Sequence, residues 1–288
     1  MKIIAALLLL TLPASGQVID VHMHSYTHEE YWGQGKSHGG VSSPKTVDQH
    51  LKETIEEMNK NKIAFAVLSG SIESLQKYTD ADSRFIPAYL DRETLIPPAE
   101  FESYIKSGTI KVFGEISAQY YGRTLTDSIY APYLRLCERY GIPVFYHTGT
   151  AAPMSPYHGY PKFRISLGDP LLIEDILVKY PKLKIYLGHA GIGFYEHTID
   201  MLVMYTHLYV DLGVILWADP YLNECAIRFL QFAKKAKVLD RIMFGSDQMV
   251  WPGAISKSIE FLNGLSFLTD EERRMILYGN AETFFKLK

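Results

Sequence analysis

Short apolar runs alternate with longer amphipathic segments along most of this chain. The apolar runs are continuous rather than alternating, which is typical of parallel strands that are buried on both faces. The longer segments carry apolar residues at helical spacing, as Leu51, Ile55 and Met58 do in the first of them. The pattern predicts strands at 18–25, 63–68, 85–90, 110–113, 143–146, 183–187, 208–211 and 242–244. It predicts helices at 47–61, 71–78, 99–107, 131–140, 170–180, 196–204 and 222–235, with a last helical region that opens on the capping box at 269–272.

Eight strands that alternate with helices predict either an open doubly wound sheet or a closed barrel. The roughly 270 residues that follow the first sixteen match the usual size of a (β/α)₈ barrel, about 250 residues. No linker and no change in composition interrupts the pattern. We therefore predict one α/β domain over 17–288, a (β/α)₈ barrel of the TIM type.

The first sixteen residues have a different character. Lys2 precedes an apolar run at 3–12, and the small residues at 14–16 resemble a cleavage site. The run is too short to span a bilayer, which needs about 20 residues. We predict a signal peptide over 1–16, export to the periplasm or the medium, and no membrane span in the mature chain. The alternative is an uncleaved first strand, and N-terminal sequencing distinguishes the two.

Composition narrows the range of partners. The formal net charge is −3 and the basic residues are scattered, which argues against a nucleic-acid groove or an anionic membrane surface. A small-molecule substrate fits this surface, and a homo-oligomer is compatible with it. The two cysteines, Cys137 and Cys225, lie far apart in predicted helices. We expect two buried free thiols and no disulfide.

Two histidines on the first predicted strand are the strongest candidate ligands. Side chains alternate along a strand, so His22 and His24 share one face, while Val21 and Met23 share the other. A pair of imidazoles on one face can chelate zinc and related metals. Such a pair is a weak signal by itself, because many lie on solvated strands.

Ligand-type residues also follow four other predicted strands. Glu115, His147, His189 and Asp247 end the fourth, fifth, sixth and eighth strands. In a barrel, the carboxyl ends of all strands meet at one face, where barrel enzymes place their active sites. An open sheet would spread the same side chains along an edge. The pattern therefore favours a closed barrel as well as a metal site.

The segments that carry these residues resemble the amidohydrolase superfamily. They are Asp20-Val-His-Met-His24, Tyr146-His-Thr-Gly149, Leu187-Gly-His-Ala-Gly191 and Phe244-Gly-Ser-Asp247. The most similar branch contains aminocarboxymuconate-semialdehyde decarboxylase, related aromatic-acid decarboxylases and dicarboxylate lactonases. The segment Gly279-Asn280-Ala281 also resembles that branch.

The resemblance implies that His22, His24, His147 and Asp247 ligate a divalent metal, with zinc expected and one or two ions per chain. It implies that His189 is either a catalytic electrophile or acid near a single metal, or a ligand of a second ion. Glu115 departs from binuclear members, which carry a carbamylated lysine at the end of strand four. It either bridges two ions in place of that lysine or hydrogen-bonds a ligand histidine.

The implied activity is hydrolysis of an ester, lactone, amide or similar bond by a water molecule that the metal activates. Asp247 would be the general base, and His189 would polarise the substrate group that is attacked. The same residues serve a metal-dependent, non-oxidative decarboxylase of an aromatic or unsaturated acid, which is the first alternative. A non-catalytic exported binding protein on the same barrel is the second alternative.

Loop residues beyond the strand ends are candidate substrate contacts. Arg164 could pair with a substrate carboxylate, and Tyr157, Trp32 and Trp251 could contact a ring or a sugar face. Packing within the loops accounts for each of them equally well. The remaining histidines are expected to be ordinary surface or loop residues: His28, His38, His50, His158, His197 and His207.

Overall fold

A computed structural model describes residues 17–33 and 35–287 of the chain. The predicted signal peptide at 1–16 lies outside these residues. Eight parallel strands pair in chain order, which confirms the predicted (β/α)₈ barrel. The N–H of Val21 donates to the carbonyl of Phe244 at 2.9 Å, and the N–H of Asp247 donates to the carbonyl of His22 at 2.8 Å. These bonds join the first strand to the last and close the ring.

The strands are short and the helices lie between them in sequence. The strands are β1 Val18–His24, β2 Ile63–Gly70, β3 Phe85–Tyr89, β4 Val112–Ile116, β5 Val144–Tyr146, β6 Ile185–Leu187, β7 Leu208–Asp211 and β8 Ile242–Met243. The helices are α1 Val47–Lys60, α2 Ile72–Ala81, α3 Pro98–Ser107, α4 Ala131–Tyr140, α5 Glu174–Lys179, α6 Tyr195–Met204, α7 Pro220–Ala236, α8 Ala254–Asn263, α9 Asp270–Arg274 and α10 Asn280–Phe285. None of the helices within 17–33 and 35–287 combines the length and apolar character that crossing a bilayer requires.

Three elements differ from the sequence prediction. Strand β4 extends to Ile116, so Glu115 lies within the strand rather than after it. The predicted helix at 170–180 begins as a 3₁₀ turn, Pro170–Ile173, and becomes α-helical only in α5. Helix α8 was not predicted, because it has no side-chain N-cap and follows a Pro-Gly pair that is typical of a turn. The predicted capping box is confirmed, since Thr269 and Glu272 bond each other's backbone N–H.

The core has an inner and an outer layer. The inner layer fills the barrel with one or two side chains from nearly every strand, among them Ile19, Val21 and Phe145, and α10 covers its lower end. The outer layer packs the strands against the helices and includes Met23. Strict alternation along β1 is therefore wrong for Val21 and Met23. Ile19 and Val21 both lie in the inner layer, as alternation requires, and a register irregularity between Asp20 and Met23 shifts the phase, so Met23 lies in the outer layer.

The two cysteines are free thiols, as predicted. Cys137 is buried in the outer layer, whereas Cys225 is only half-buried, so the expectation of two buried thiols is wrong for Cys225. Cys225 lies on α7, which covers the barrel from outside and leaves part of its own surface to solvent.

Candidate metal centre

All six candidate ligands meet at the carboxyl end of the barrel. The ring nitrogens and carboxylate oxygens form three overlapping groups, and within each group these atoms lie within 4.8 Å of one another. Every member is buried except His24, which is half-buried. The structure thus brings together residues that are separated by up to 225 positions in the chain. The six are His22, His24, Glu115, His147, His189 and Asp247.

Glu115 lies at the centre of the histidines. Its Oε1 is 2.5 Å from His147 Nδ1 and 3.1 Å from His189 Nε2. Its Oε2 is 3.5 Å from His22 Nε2 and 3.6 Å from His24 Nε2. One carboxylate therefore faces all four imidazoles.

Asp247 faces the same imidazoles from the segment after β8. Its Oδ1 is 3.0 Å from His24 Nε2 and 3.5 Å from His22 Nε2, and its Oδ2 is 3.8 Å from His189 Nδ1. Within the described residues, Asp247 Oδ1 and His22 Nε2 are buried without a hydrogen bond of acceptable geometry. Buried polar atoms without a partner are uncommon in folded proteins, and a bound ion commonly satisfies them.

Three histidines use one ring nitrogen outside the cluster and direct the other into it. His22 Nδ1 lies 2.9 Å from Asp211 Oδ2, His147 Nε2 lies 3.0 Å from the carbonyl of Thr150, and His189 Nδ1 lies 3.2 Å from the carbonyl of Gly213. These oxygens accept, so the outer nitrogens carry the hydrogen. In the neutral ring each inner nitrogen presents a lone pair. Burial opposes the charged form, but the neighbouring carboxylates outweigh it and raise the pKa of His22 and His189, so without a cation these rings favour a second proton.

The inner lone pairs face carboxylate oxygens and one another, since His147 Nδ1 and His189 Nε2 are 3.0 Å apart. Lone pairs converge in this way when a cation lies between them, or when an imidazole carries a second proton. Nitrogen and oxygen donors together suit zinc, manganese and other first-row divalent ions. The residues therefore fit a divalent metal, and the outer acceptors fix the ring orientations that such a metal requires.

Electrostatics within the cluster keeps the two carboxyl groups ionised. Burial raises the pKa of Glu115, but the charges of His147 and His22 and the bonds to His147 and His189 outweigh it and hold the pKa well below its usual range. Burial likewise opposes ionisation of Asp247, yet His22, His24 and His189 lower its pKa to about 2. Two carboxylates are therefore available as anionic ligands at neutral pH.

Asp211, at the end of β7, is a further candidate for the site that the sequence pattern did not indicate. Its Oδ2 accepts from His22, and its Oδ1 accepts the backbone N–H groups of His189 and Gly213 at 2.9 and 2.8 Å. One buried carboxylate thus orients a ring on β1 and the backbone after β6. The available signal was its position, because it ends a predicted strand as the other candidates do.

Replacing Asp211 with asparagine is expected to weaken metal binding by about 10- to 100-fold, because carboxylates that orient ligand histidines typically contribute that much. Titration of the metal against a competing chelator measures the dissociation constant. Asp240→Asn is the matched control, since the Asp240 side chain is 65% exposed and bonds only Arg241. An unchanged dissociation constant in Asp211→Asn would show that His22 needs no orienting partner.

The backbone around two candidate ligands has an unusual conformation. His189, Ala190 and Asp247 have φ values of 63°, 52° and 48°, in the left-handed region that residues with a side chain seldom adopt. Such strain is concentrated at functional sites, where the surrounding structure enforces it. Here the bonds from the N–H of His189 to Asp211 and from the N–H of Asp247 to His22 hold both residues in place.

The prediction that His50 is an ordinary surface or loop residue is wrong, because its side chain is fully buried. Its Nε2 donates to the carbonyl of Met249 and its Nδ1 lies 2.8 Å from the hydroxyl of Tyr78. Burial lowers the pKa of His50 to about 4, so the ring is neutral. It ties helix α1 to the segment that carries Asp247. The other histidines are exposed, apart from half-buried His197, which bonds Asp169 at 2.9 Å.

The four candidate substrate contacts lie in different environments. Trp251 is nearly buried and packs edge-on against Trp32, with ring centroids 5.3 Å apart. Tyr157 is 78% exposed. Arg164 donates to the carbonyls of Pro161 and Phe163 in its own loop. The two tryptophans therefore form one wall at this end of the barrel, whereas Arg164 is engaged by backbone.

A second aromatic group lies beside the cluster on the opposite loops. Tyr120 packs edge-on against His147, with ring centroids 5.3 Å apart. It also contacts Tyr160 and Phe163, at centroid distances of 4.7 and 5.3 Å. An aromatic group thus packs directly against one candidate ligand, His147.

The comparisons with known proteins agree with this geometry. A sequence profile described as amidohydrolase matches residues 78–287. No curated protein sequence matches the chain. Among solved structures, an uncharacterised TIM-barrel protein from Bordetella bronchiseptica is 18% identical, with 94% of this chain and 98% of that chain covered and a TM-score of 0.69.

Two further similar structures have named activities. A probable 2-pyrone-4,6-dicarboxylic acid hydrolase from Acinetobacter baumannii, with citric acid bound, is 15% identical, with 94% and 99% of the two chains covered and a TM-score of 0.64. A dihydroxybenzoic acid decarboxylase from a Polaromonas species, with manganese and the inhibitor 2-nitroresorcinol bound, is 16% identical, with 94% and 97% covered and a TM-score of 0.63. At these identities the likeness shows a shared fold.

Proposed function

The chain belongs to the amidohydrolase family, and from this premise we propose that it is a metal-dependent hydrolase of a small organic molecule. The bond that it cleaves is an ester, a lactone, an amide or a similar group. Membership of the family confirms the resemblance found in the sequence. Hydrolysis, the roles of the residues and export are our inferences.

One observation carries the proposal. Three buried histidines hold one ring nitrogen on an outer acceptor and direct the other at the carboxylates Glu115 and Asp247, and within the described residues His22 Nε2 and Asp247 Oδ1 have no hydrogen-bond partner. A cation balances this arrangement. We assign His22, His24, His147 and Asp247 as its ligands, with His189 and Glu115 as ligands of a second ion.

When bound, a divalent ion supplies Lewis-acid chemistry, which lowers the pKa of water and polarises a substrate carbonyl. Asp247 is the general base in this scheme, because its carboxylate is ionised and lies at the inner face of the cluster. It takes the proton of the attacking water and returns it to the leaving group. The histidines surround the Asp247 carboxylate closely and limit the access of bulk water to it.

His189 has two candidate roles, which depend on the protonation of its ring. A proton donor to the substrate would need a hydrogen on Nε2, but Nδ1 already donates to the carbonyl of Gly213. In the neutral ring, Nε2 therefore accepts or ligates, and it lies 3.1 Å from Glu115. The neutral ring therefore supports His189 as a ligand, whereas Glu115 raises the pKa of His189 despite burial and supports the acid role where no second ion binds.

Decarboxylation of an aromatic or unsaturated acid is the second candidate, and the similarity in fold to a dihydroxybenzoic acid decarboxylase favours it. In that reaction Asp247 would deliver a proton to the substrate carbon. A binding protein without turnover is the third candidate. The ionised Asp247 beside the histidines argues against it, because binding alone needs no general base.

A screen of the metal-loaded protein tests the proposal. Elemental analysis is expected to find about one to two divalent ions per chain, with zinc expected and manganese also compatible with the ligands. Esters, lactones, amides, phosphoesters and aromatic acids are then incubated with the protein. Release of acid without CO₂ supports hydrolysis, and release of CO₂ from an aromatic acid replaces it with decarboxylation. Binding of compounds without any turnover would favour the binding role.

We further propose that the protein is exported, with the signal peptide 1–16 removed. The apolar run at 3–12 and the small residues after it support this. An exported enzyme of this kind would draw its metal and its substrate from outside the cytoplasm. A protein found only in the cytoplasmic fraction with Met1 retained would refute export.

A further inference from the structure

His24 differs from the other three histidines of the cluster in how it is held. His22, His147 and His189 each place one ring nitrogen on an outer acceptor. The outer nitrogen of His24, Nδ1, makes no hydrogen bond within the described part of the chain. The His24 side chain is also the most exposed of the four, at 12%. No acceptor orients this ring, so its place in the cluster depends on its backbone.

Gln248 binds that backbone at both of its polar groups. Its Oε1 accepts from the N–H of His24, and its Nε2 donates to the carbonyl of His24, both at 3.0 Å. An N–H only donates and a carbonyl only accepts, so these partners fix the orientation of the amide. The Gln248 side chain is fully buried. It therefore makes the two bonds that the neighbouring strand of a parallel sheet makes to one residue.

The Gln248 side chain takes the place of a strand that has already ended. β8 ends at Met243, although the N–H of Asp247 still donates to β1. Asp247 and Met249 have φ values of 48° and 45°, a left-handed conformation in which a strand does not continue. The turn leaves the peptide groups of His24 without a backbone partner on this side. The amide of Gln248, which is chemically a peptide group, supplies that partner.

We propose that Gln248 is a positioning residue, which keeps His24 among the metal ligands by holding its backbone. This inference rests on the proposed function, because it requires an ion that His24 ligates. Two bonds to one residue fix the direction of its Cα–Cβ bond as well as its position. The ring of His24 then points at Asp247, with Nε2 3.0 Å from Oδ1. Loss of Gln248 would release this ring without removing any ligand from the chain.

Replacing Gln248 with methionine keeps the length of the side chain and removes both bonds. We expect the dissociation constant for a divalent ion to rise about 10- to 100-fold, the range found for groups that orient metal ligands. Cobalt(II) is the probe, since it takes the same nitrogen and oxygen donors as zinc. Titration against a competing chelator measures the dissociation constant. An unchanged dissociation constant in Gln248→Met would overturn the proposal.

A second variant covers the case in which Gln248→Met does not fold. Gln248→Asn keeps a polar amide at this position but is one methylene shorter, so it cannot reach the N–H and the carbonyl of His24 together. We expect this variant to fold and to bind cobalt(II) more weakly than the parent. Parent-like binding in a folded Gln248→Asn protein would show that the two bonds do not position the ligand.

The matched control is a buried amide at the other end of the barrel. Asn280 Nδ2 donates to the carbonyls of Leu239 and Ile242, at 2.8 and 2.7 Å, where β8 begins. Asn280→Leu leaves both carbonyls without this donor and is expected to lower the melting temperature. The dissociation constant for cobalt(II) should stay within about twofold of the parent, because the change is remote from the cluster. Weakened metal binding in this control would assign the effect of Gln248 to stability and overturn the proposal.

A double-mutant cycle separates positioning of His24 from a general effect on the fold. If Gln248 acts through His24, then Gln248→Met should change the dissociation constant of His24→Ala by less than about twofold. The cobalt(II) absorption bands report the number and arrangement of ligands, so Gln248→Met should shift them in the same direction as His24→Ala. An equal weakening in both backgrounds would show a purely structural role and overturn the proposal. Parent-like metal binding in His24→Ala would instead refute the ligands assigned under the proposed function.

Discussion

Replacing Asp247 with asparagine is expected to lower kcat by about 10²- to 10⁴-fold, because a positioned general base contributes that much and the amide cannot accept a proton. Asparagine keeps the size of the side chain and one oxygen that can ligate a metal. The N–H of residue 247 still donates to the carbonyl of His22, so the segment after β8 keeps its course. We therefore expect a large loss of activity with little change in the folded structure.

The measurement combines turnover of the substrate found by screening with elemental analysis of the same sample. Asp219→Asn is the matched control, because Asp219 caps α7 and asparagine caps helices as well as aspartate does. Asp247→Asn should retain most of its metal, since four histidines and Glu115 remain. A variant that keeps its metal and also keeps kcat within about tenfold would remove Asp247 from the role of base.

The sequence was sufficient for the fold and for the assembly of the candidate ligands. Parallel strands in a barrel place their carboxyl ends at one face, so knowing that His147 and His189 each follow a strand was enough to place them near β1. The prediction needed only the order of the elements and the strand ends. It did not depend on boundaries, and it survived the error by which Glu115 was placed after β4 rather than within it.

What the sequence could not provide was the set of contacts that orient the ligands. Asp211 and His22 are 189 positions apart, and nothing in either segment indicates that their side chains meet. His50 lies beside Leu51 on an amphipathic helix and looked like a solvated residue. Its burial follows from Tyr78 and Met249, which approach it from two other elements. Such contacts depend on how helices pack on the barrel, which periodicity does not specify.

The sequence was also insufficient to identify the residues that bind the substrate, as Arg164 shows. In the sequence it is an arginine in a long loop beyond a strand, a common place for a carboxylate ligand. In the structure its guanidinium donates to the carbonyls of Pro161 and Phe163, so it closes its own loop. A loop side chain has many local acceptors, and one sequence does not decide among them.

The double replacement His22→Ala with His24→Ala is expected to abolish metal binding and activity together. It removes both imidazoles of β1 and leaves Glu115 and Asp247 facing only His147 and His189. Asp247 then loses its two nearest imidazoles, and Glu115 keeps only His147 and His189, so the site should bind divalent ions too weakly to survive gel filtration. We expect less than about a tenth of an ion per chain, because metal affinity depends on the number of deprotonated ligands.

A matched double variant tests whether metal is lost because these two positions are ligands, or because any two histidines were removed. His28→Ala with His38→Ala removes two exposed histidines from the first long loop and should retain full metal and activity.

His22 is fully buried, so its loss could also weaken the fold. His24→Ala alone covers that case, because this side chain is 12% exposed and still lies 3.0 Å from Asp247. A His24→Ala protein that melts like the parent and has lost its metal would assign the loss to ligation. Full metal retention in the folded double variant would mean that the ion is held without β1, and the centre inferred from the converging lone pairs would have to lie elsewhere.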